Sequence, residues 1–384
     1  MKPVLLDVKK SVNTNYFRQM DYSLLFLVLA LSAIGLLVLY SALQSFDDGT
    51  TSFMKQLVFM IFGFVIAILL ARFDYSDYKV LGFLLYVAST FLLVLVKLKP
   101  ATLNGASSWL DLPGIGRFQP SEIAKITFIM VVAVFLARIK DGEGKFLPNL
   151  LKLVIYSAIP ILFIIDQPDY GTAMVFVFML VLMLYIFGIK LRYYLFAIIA
   201  AVPIIAGIWF FLLNPLRRSR ILTFFNPSSV TEDSSYQILR AKTAIGSGGL
   251  TGKGLFNGPQ NLKGIVPIKE SDFIFTVSAE ELGFIGSTII IILFICLLIR
   301  CIYVAKNARD TYGTLLVTGI TGLLGFHFIE NIGMNIDLLP ITGIPFPFFS
   351  LGNSSMLTVF IAVGIVLSVS IRRRSSRNNY ESTR

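Results

Sequence analysis

The residues able to do chemistry in this chain gather at a few points. Asp272 closes a polar stretch, Pro267-Ile-Lys-Glu-Ser-Asp272, and is followed at once by an apolar run that opens with Phe273. A carboxylate at such a junction is partly desolvated, which raises its proton affinity toward that of a general base; the plainer reading is a helix cap. Glu122 and Lys125 form a second point. Pro120 suits the first position of a helix, so Glu122 falls in the first turn, where the helix dipole favours a carboxylate, and Lys125 three residues on shares its face. A helix-start acid with a snorkelling lysine has the same pattern, but ionisable groups inside a span usually face a cavity. His327 lies one turn before Glu330 in apolar surroundings, where a lone His is more often a packed, hydrogen-bonded residue than a proton relay.

A third group is basic. Between 214 and 275 the chain carries Arg217, Arg218, Arg220, Arg240, Lys242, Lys253, Lys263 and Lys269 against Glu232, Asp233, Glu270 and Asp272, a net charge of +4. Within it, residues 236–245 place Ile238, Ala241 and Ile245 at helical spacing beside Arg240 and Lys242, with Gly246 as the stop. Such a helix can lie in a membrane interface with its cations at phosphate height, so the stretch suggests an anionic, lipid-linked ligand. Gly246-Ser-Gly-Gly-Leu-Thr-Gly-Lys-Gly254 is not a Walker A motif, since Gly254 follows Lys253 and no strand precedes it, yet Gly-rich backbone can approach a phosphate through its N–H groups. Nucleic acid is not expected as a partner, because the charge flanks a membrane surface and not a soluble domain. Two more polar segments remain: the turn Asp166-Gln-Pro-Asp-Tyr-Gly-Thr172, and the stretch from Glu330 to Ser350 with Pro340, Pro345 and Pro347. The second reads as a rigid re-entrant or interfacial turn, tolerated at membrane depth only if buried or lining a cavity.

The elements that must position these groups are transmembrane helices. Of the 384 residues 56% are apolar and 14% charged, with mean hydropathy +0.79, where soluble domains carry roughly 25% charged residues. One His and two Cys argue against a zinc site or disulfide framework; a divalent metal is left open, and no cofactor is expected. Apolar runs near the roughly 20 residues of a span occur at 22–43, 55–72, 79–97, 121–139, 150–166, 171–189, 191–213, 276–304, 313–332 and 353–371. The expected fold is an all-α polytopic membrane protein of about ten transmembrane helices, with a large extracytoplasmic loop between the seventh and eighth. With the N-terminus inside, 20 Lys and Arg face the cytoplasm and the short outer segments keep only Lys55, Lys97, Lys99, Arg117 and Lys125. The chain then divides into a cytoplasmic tail 1–21, helices one to seven over 22–213, the loop 214–275, helices eight to ten over 276–371, and a basic cytoplasmic tail 372–384. The first apolar run is long enough to span, so no cleavable leader is expected.

In order along the chain stand Phe118-Gln-Pro-Ser-Glu122, Gln167-Pro-Asp-Tyr-Gly171, Arg220-Ile-Leu-Thr-Phe224, the glycine-rich 246–254, Asp272-Phe-Ile-Phe275, Glu280-Glu-Leu-Gly283, Asn331-Ile-Gly-Met-Asn335 and Pro340-Ile-Thr-Gly-Ile-Pro345. With this set the chain resembles the SEDS family of peptidoglycan polymerases, of the RodA type, over roughly residues 20–375. Gly258-Pro-Gln260 and Gly343-Ile-Pro345 look like RodA and not like the division relative FtsW.

The resemblance implies an enzyme of the bacterial cytoplasmic membrane, multi-pass with both termini cytoplasmic. It would join lipid II units into glycan strands at the outer face during elongation, releasing undecaprenyl diphosphate. The implied partners are lipid II, a class B penicillin-binding protein transpeptidase and the elongation machinery. The family's essential loop carboxylate falls on Asp272 and its fourth-span pair on Glu122 and Lys125. Arg220, Arg240, Lys242 and Lys253 are the candidates to neutralise the diphosphate, while Lys263 and Lys269 are expected to be solvated. The chain departs from the family pattern at Ile268, Glu270 and Ser271, where Glu, His and Thr are usual, at Ser107-Ser108, at Asp337 and at Ser350-Leu-Gly-Asn-Ser-Ser355. The alternative functions are a lipid II flippase and a specialised division or sporulation paralogue.

Overall fold

The computed structural model describes residues 19–98, 101–103, 106–112, 116–212, 218 and 232–373. Its long helices are α1 (Tyr22–Leu43), α2 (Gly49–Arg72), α3 (Tyr78–Leu98), α4 (Pro120–Lys140), α5 (Phe146–Asp166), α6 (Tyr170–Phe187) and α7 (Leu191–Gly207). In the loop that follows lie α8 (Glu232–Gly248) and the short α9 (Pro259–Leu262), and then come α10 (Ile274–Lys306), α11 (Thr311–Asn335) and α12 (Asn353–Ile371). Among the described residues eight helices are long and apolar enough to cross a membrane. Two more expected spans are helical without meeting that measure: α4 carries Glu122, Lys125, Arg138 and Lys140, and α7 is short and ends in a π-turn over Ile208–Leu212. Helix α2 begins earlier than hydropathy placed it, at Gly49, because Lys55 sits inside the helix and not at its end, and α5 begins earlier too, at Phe146.

Burial sorts the helices into an inner and an outer set. In α11 and α12 83% of the most apolar window is buried, against 22–39% in the other spans. Residues 120–137 of α4 are buried apart from Ile123. An inner helix is enclosed all round, so α4 and α11 can carry Glu, Lys and His without presenting them to lipid. Around them α12 packs on α2, α11 on α6 and α10, and α4 on α3 and α5. The outer helices turn side chains such as Ile61, Phe62, Val65 and Leu69 of α2 outward, as a lipid-facing surface requires.

Two local departures matter for the site. The eighth span, expected to be continuous, is kinked at Gly283, whose φ of 67° only a glycine adopts without strain. Residues 284–306 alone give roughly 34 Å of helix, enough for the roughly 30 Å hydrocarbon core, while residues 274–281 are all buried inside the protein. Three short strands, β1 (Ala101–Leu103), β2 (Ala106–Leu112) and β3 (Gly116–Phe118), form an antiparallel sheet before α4, which no alternation in the sequence had signalled. Between α11 and α12, residues 346–350 are buried without helix. An aromatic cluster holds them there, with Phe294 stacked on Phe328 at 4.5 Å and on Phe346 at 5.7 Å.

Candidate functional site

Asp272 sits in a tight turn that folds back on Ile268, whose carbonyl accepts from the backbone N–H of Ser271, Asp272 and Phe273 at 3.2, 3.0 and 3.2 Å. The residue that caps α10 is Phe273, and no side chain caps that end. The Asp272 carboxylate is therefore not spent as a helix cap. The Ser271 hydroxyl donates to its Oδ1 at 2.6 Å, and Gly343 lies against Oδ2. A Cβ on Gly343 would stand 3.3 Å from that oxygen, and the glycine's φ is +75°.

The backbone of the turn is clamped from two sides. Asn331 and Asn335, one helical turn apart on α11, both donate from Nδ2 to the Asp272 carbonyl, at 3.0 and 3.1 Å. Asn335 Oδ1 in turn accepts from the Thr276 amide and hydroxyl at 3.1 and 2.6 Å. Across the turn, Ser350 donates to the Ser271 carbonyl at 2.6 Å, and the Leu351 amide donates to the Glu270 carbonyl at 2.8 Å. Asn331 and Asn335 were legible only as a motif; their work is to fix the carboxylate's backbone.

Glu122 and Lys125 reach the same place by a different route. They form a buried ion pair at 2.8 Å, and the Lys125 ammonium also donates to His327 Nε2 at 3.2 Å. His327 Nδ1 lies 3.1 Å from the Pro345 carbonyl, which can only accept, so Nδ1 carries the proton and Nε2 receives from lysine. Glu330 accepts from Thr342 at 2.8 Å, and Asn331 Nδ2 also donates to the Ile344 carbonyl at 2.9 Å. The segment 342–345 is thus the meeting point: Asp272 lies against Gly343, Asn331 holds Ile344, and Glu122, Lys125 and His327 end on Pro345.

The basic residues divide. Helix α8 packs Ile238, Ala241 and Ala244 against Val266, Phe273 and Ile341, which lays it across the Asp272 turn. It continues past Gly246 to Gly248, and the left-handed residue that ends it is Gly249. On it Lys242 is ion-paired with Asp337, and Arg240 lies 4.8 Å from the Tyr236 ring with its Nε buried and without a hydrogen-bond partner. Lys253 is exposed. Arg220 lies outside the described residues.

The glycine-rich segment 246–254 does not hold its amides out for a phosphate. Gly252 N–H donates to Gly248, Lys253 N–H to the Glu280 carbonyl and Gly254 N–H to the Glu281 carbonyl, at 2.9, 3.0 and 3.0 Å. The amides of Phe284 and Ile285, just past the kink, donate back to Gly249 and Leu250. The kink at Gly283 frees these α10 backbone groups, and the segment satisfies them; a Cβ on Gly252 would stand 2.1 Å from the Glu281 carbonyl oxygen.

Lys269 corrects another expectation. It is 1% exposed and not solvated. Its ammonium holds both the carbonyl and the side-chain oxygen of Asn261 and faces the Phe46 ring at 5.6 Å. Burial pushes its pKa down to about 8, against the opposing pull of Glu270, Glu280 and Glu281. Glu280 accepts from the amides of Gln260 and Asn261 at 2.8 and 3.0 Å. Glu281 accepts from Asn261 Nδ2 at 2.8 Å and from Ser41 at 2.5 Å. This buried network ties the loop to α1 and α10. Burial also raises the pKa of Glu270, with the negative charge of Asp272 adding to the effect. Among the described residues no three His, Cys, Asp or Glu side chains gather closely enough to hold a metal.

Residues 22–375 match the family model of the FtsW, RodA and SpoVE cell cycle proteins. The chain is 35% identical to the peptidoglycan glycosyltransferase MrdB of Escherichia coli over 355 residues, 92% of this chain and 94% of that protein. It is 36% identical to the stage V sporulation protein E of Bacillus subtilis over 363 residues, 91% and 96% of the two chains. Among solved structures it resembles a chain of a peptidoglycan synthase complex, with TM-score 0.78, 28% identity and coverage of 93% and 99%. It also resembles the rod shape determining protein RodA of Thermus thermophilus, with TM-score 0.69, 27% identity and coverage of 93% and 98%.

Proposed function

The chain belongs to the FtsW, RodA and SpoVE family of cell cycle proteins, and from that premise we propose that it joins lipid II units into glycan strands with Asp272 as the base. It is a multi-pass membrane protein and a peptidoglycan glycosyltransferase. Cell elongation is the process proposed for it, on the RodA-type motifs. The proposed location is the bacterial cytoplasmic membrane, both termini inside and the Asp272 turn outside, since that orientation leaves most basic residues on the cytoplasmic side.

The observation that carries the reading is the placement of the Asp272 carboxylate: it does not cap α10, it lies beside the glycine of segment 342–345, and its backbone is clamped by Asn331, Asn335 and Ser350. A rigid backbone beneath a carboxylate keeps it aimed, which proton abstraction needs. As the acceptor hydroxyl oxygen attacks the anomeric carbon of the donor glycan, Asp272 takes its proton. The carbon–oxygen bond to undecaprenyl diphosphate breaks, and the electron pair leaves with the diphosphate. Arg240 and Lys253 are proposed to neutralise that charge together with Arg220; Lys242 contributes through its pair with Asp337. Glu122 and Lys125, proposed from the sequence as substrate-side residues, are 3% and 1% exposed. Their proposed effect on substrate therefore runs through His327 and Pro345. A class B penicillin-binding protein is the proposed partner.

The test is polymerisation of purified lipid II by the purified protein, alone and with such a transpeptidase. Glycan strands longer than the starting unit are expected. Transport of lipid II without strand formation, or neither activity, would overturn the reading.

A further inference from the structure

Helix α2 meets the rest of the protein along one stripe. Apart from Gly49 at its start, its buried residues are Gln56, Met60, Gly63, Ala67 and Ala71, a spacing of three and four that puts them on one face. Small residues bring that face close to α12: a Cβ on Gly63 would stand 2.8 Å from the Phe360 ring, and one on Gly364 would stand 2.8 Å from the Ala67 backbone. Of the five, only Gln56 is polar, and it is fully buried. An amide buried without hydrogen bonds is costly, so such a residue needs partners for both its donor and its acceptor. Both partners lie in the link that leads into α12. Gln56 Nε2 donates to the Ser350 carbonyl at 3.1 Å, and the Gly352 amide donates to Gln56 Oε1 at 3.2 Å. Between these two groups the Leu351 amide donates instead to the Glu270 carbonyl at 2.8 Å, and the Ser350 hydroxyl donates to the Ser271 carbonyl at 2.6 Å. The link 350–352 is thus bonded to Gln56 and also to the turn that carries Asp272.

We infer that Gln56 is a positioning residue for the base: it holds the link 350–352, through which Ser350 and Leu351 keep the Asp272 turn in place. The inference rests on the reading of Asp272 as the base of the glycosyl transfer. A glutamine suits this task because one planar amide joins a carbonyl and an N–H two residues apart, as a peptide group of a neighbouring strand does. A hydrocarbon side chain of the same length fills the space and joins neither. The close approach of α2 to α12 at Gly63 and Gly364 sets the height at which that amide arrives. The turn is therefore held from two helices, by Asn331 and Asn335 of α11 on the Asp272 carbonyl and by Gln56 of α2 through the link. Misplacing a reacting group by about 1 Å lowers turnover on the order of a hundredfold. Binding of lipid II does not require an aligned base, so the loss of Gln56 falls on kcat and not on KM.

The experiment follows amide hydrogen exchange of peptides covering 268–273 and 350–352, beside kcat and KM for lipid II polymerisation, in the full-length protein with its transpeptidase. The variants are Gln56→Met, which keeps length and bulk, Gln56→Ala, and Met60→Ala as a control one turn along the same stripe. Gln56→Met is expected to speed exchange in both segments by about tenfold or more. Its kcat falls roughly tenfold to a hundredfold while KM stays within about threefold of the unaltered value. Met60→Ala loosens the packing of α2 but keeps the amide, so its kcat and its exchange at 268–273 stay within about threefold. If Gln56→Met fails to fold, Gln56→Ala gives the same readout, because water can enter the space it leaves. Faster exchange at 350–352 with 268–273 unchanged would make Gln56 a local support of α12 and overturn the inference. So would an unchanged kcat, or a loss of kcat that Met60→Ala reproduces. If the unaltered protein forms no strands, the glycosyltransferase reading fails instead, and the exchange measurement still decides whether Gln56 holds the turn.

Discussion

The buried pair of Glu122 and Lys125 permits a quantitative test of how the inner helices serve the site. Glu122 has Lys125 as its side-chain partner, while Lys125 has both Glu122 and His327. Lys125→Met orphans a carboxylate that is 3% exposed. Removing one member of a buried pair costs about 3–5 kcal/mol. The orphan can escape part of that cost by taking up a proton, which at pH 7 costs about 3.7 kcal/mol for an ordinary glutamate, and this sets a ceiling. Glu122→Gln leaves the ammonium with His327 Nε2 as acceptor and falls near the lower end, about 3 kcal/mol. The double variant orphans no charge and loses mainly the hydrogen bond to His327, about 1–3 kcal/mol. The two single losses therefore exceed the double loss by at least about 3 kcal/mol. Reversible denaturation of the four detergent-purified proteins reads this coupling directly, and polymerisation assays on the same samples report the effect on the site. Additivity within about 0.5 kcal/mol would refute the pairing and leave a helix-start acid beside an unrelated lysine.

Other outcomes follow from individual contacts. Because Lys269 is pushed to about 8 by burial, while an unfolded chain's lysines titrate near 10.4, the unfolded chain holds more protons between those values. The residue's contribution to stability thus rises from pH 8 toward pH 10, and denaturation at pH 7.5 and pH 10 should show Lys269→Met lacking that rise; an equal slope in both proteins contradicts its burial. Gly343→Ala forces a left-handed alanine, costing about 1–2 kcal/mol, and sets a methyl 3.3 Å from Asp272 Oδ2. Its turnover should fall by more than its stability explains, and unchanged turnover would move the reacting groups elsewhere. Across Arg220→Lys, Arg240→Ala, Lys253→Ala and Lys263→Ala, lipid II affinity should fall for the first three and stay level for the exposed Lys263. No change in any of the four would locate diphosphate recognition outside the loop.

How much of this was legible in the sequence depended on whether the signal was local. The spans were legible because a run of apolar residues is itself the physical requirement for crossing lipid. The kink at Gly283 was not, since the apolar run continues through it and only the backbone dihedral breaks. The small sheet before α4 was missed because its strands are short and lie in a stretch rich in Gly, Pro and Ser. At the site, Asp272, Glu122 and Lys125 stood out as ionisable groups at the edges of apolar runs; in the structure Asp272 lies against Gly343, while the Glu122–Lys125 pair reaches Pro345 through His327. The clamp by Asn331 and Asn335 was hidden, because its partner is a backbone carbonyl about sixty residues away in sequence. Composition misled twice. A glycine-rich stretch resembled a phosphate loop, yet its amides answer carbonyls exposed by the kink; and Lys269 read as a solvated cation in a polar loop, while Asn261 and Phe46 enclose it.

The most direct measurement compares lipid II polymerisation by the purified protein and by Asp272→Asn, each with its transpeptidase. The amide preserves size and the hydrogen bond from Ser271 but cannot take a proton. With Asp272 as the base, Asp272→Asn should fold, insert and bind lipid II as the unaltered protein does while forming no glycan strands, a loss of at least about a hundredfold. Strand formation at an undiminished rate by correctly folded Asp272→Asn would contradict the assignment.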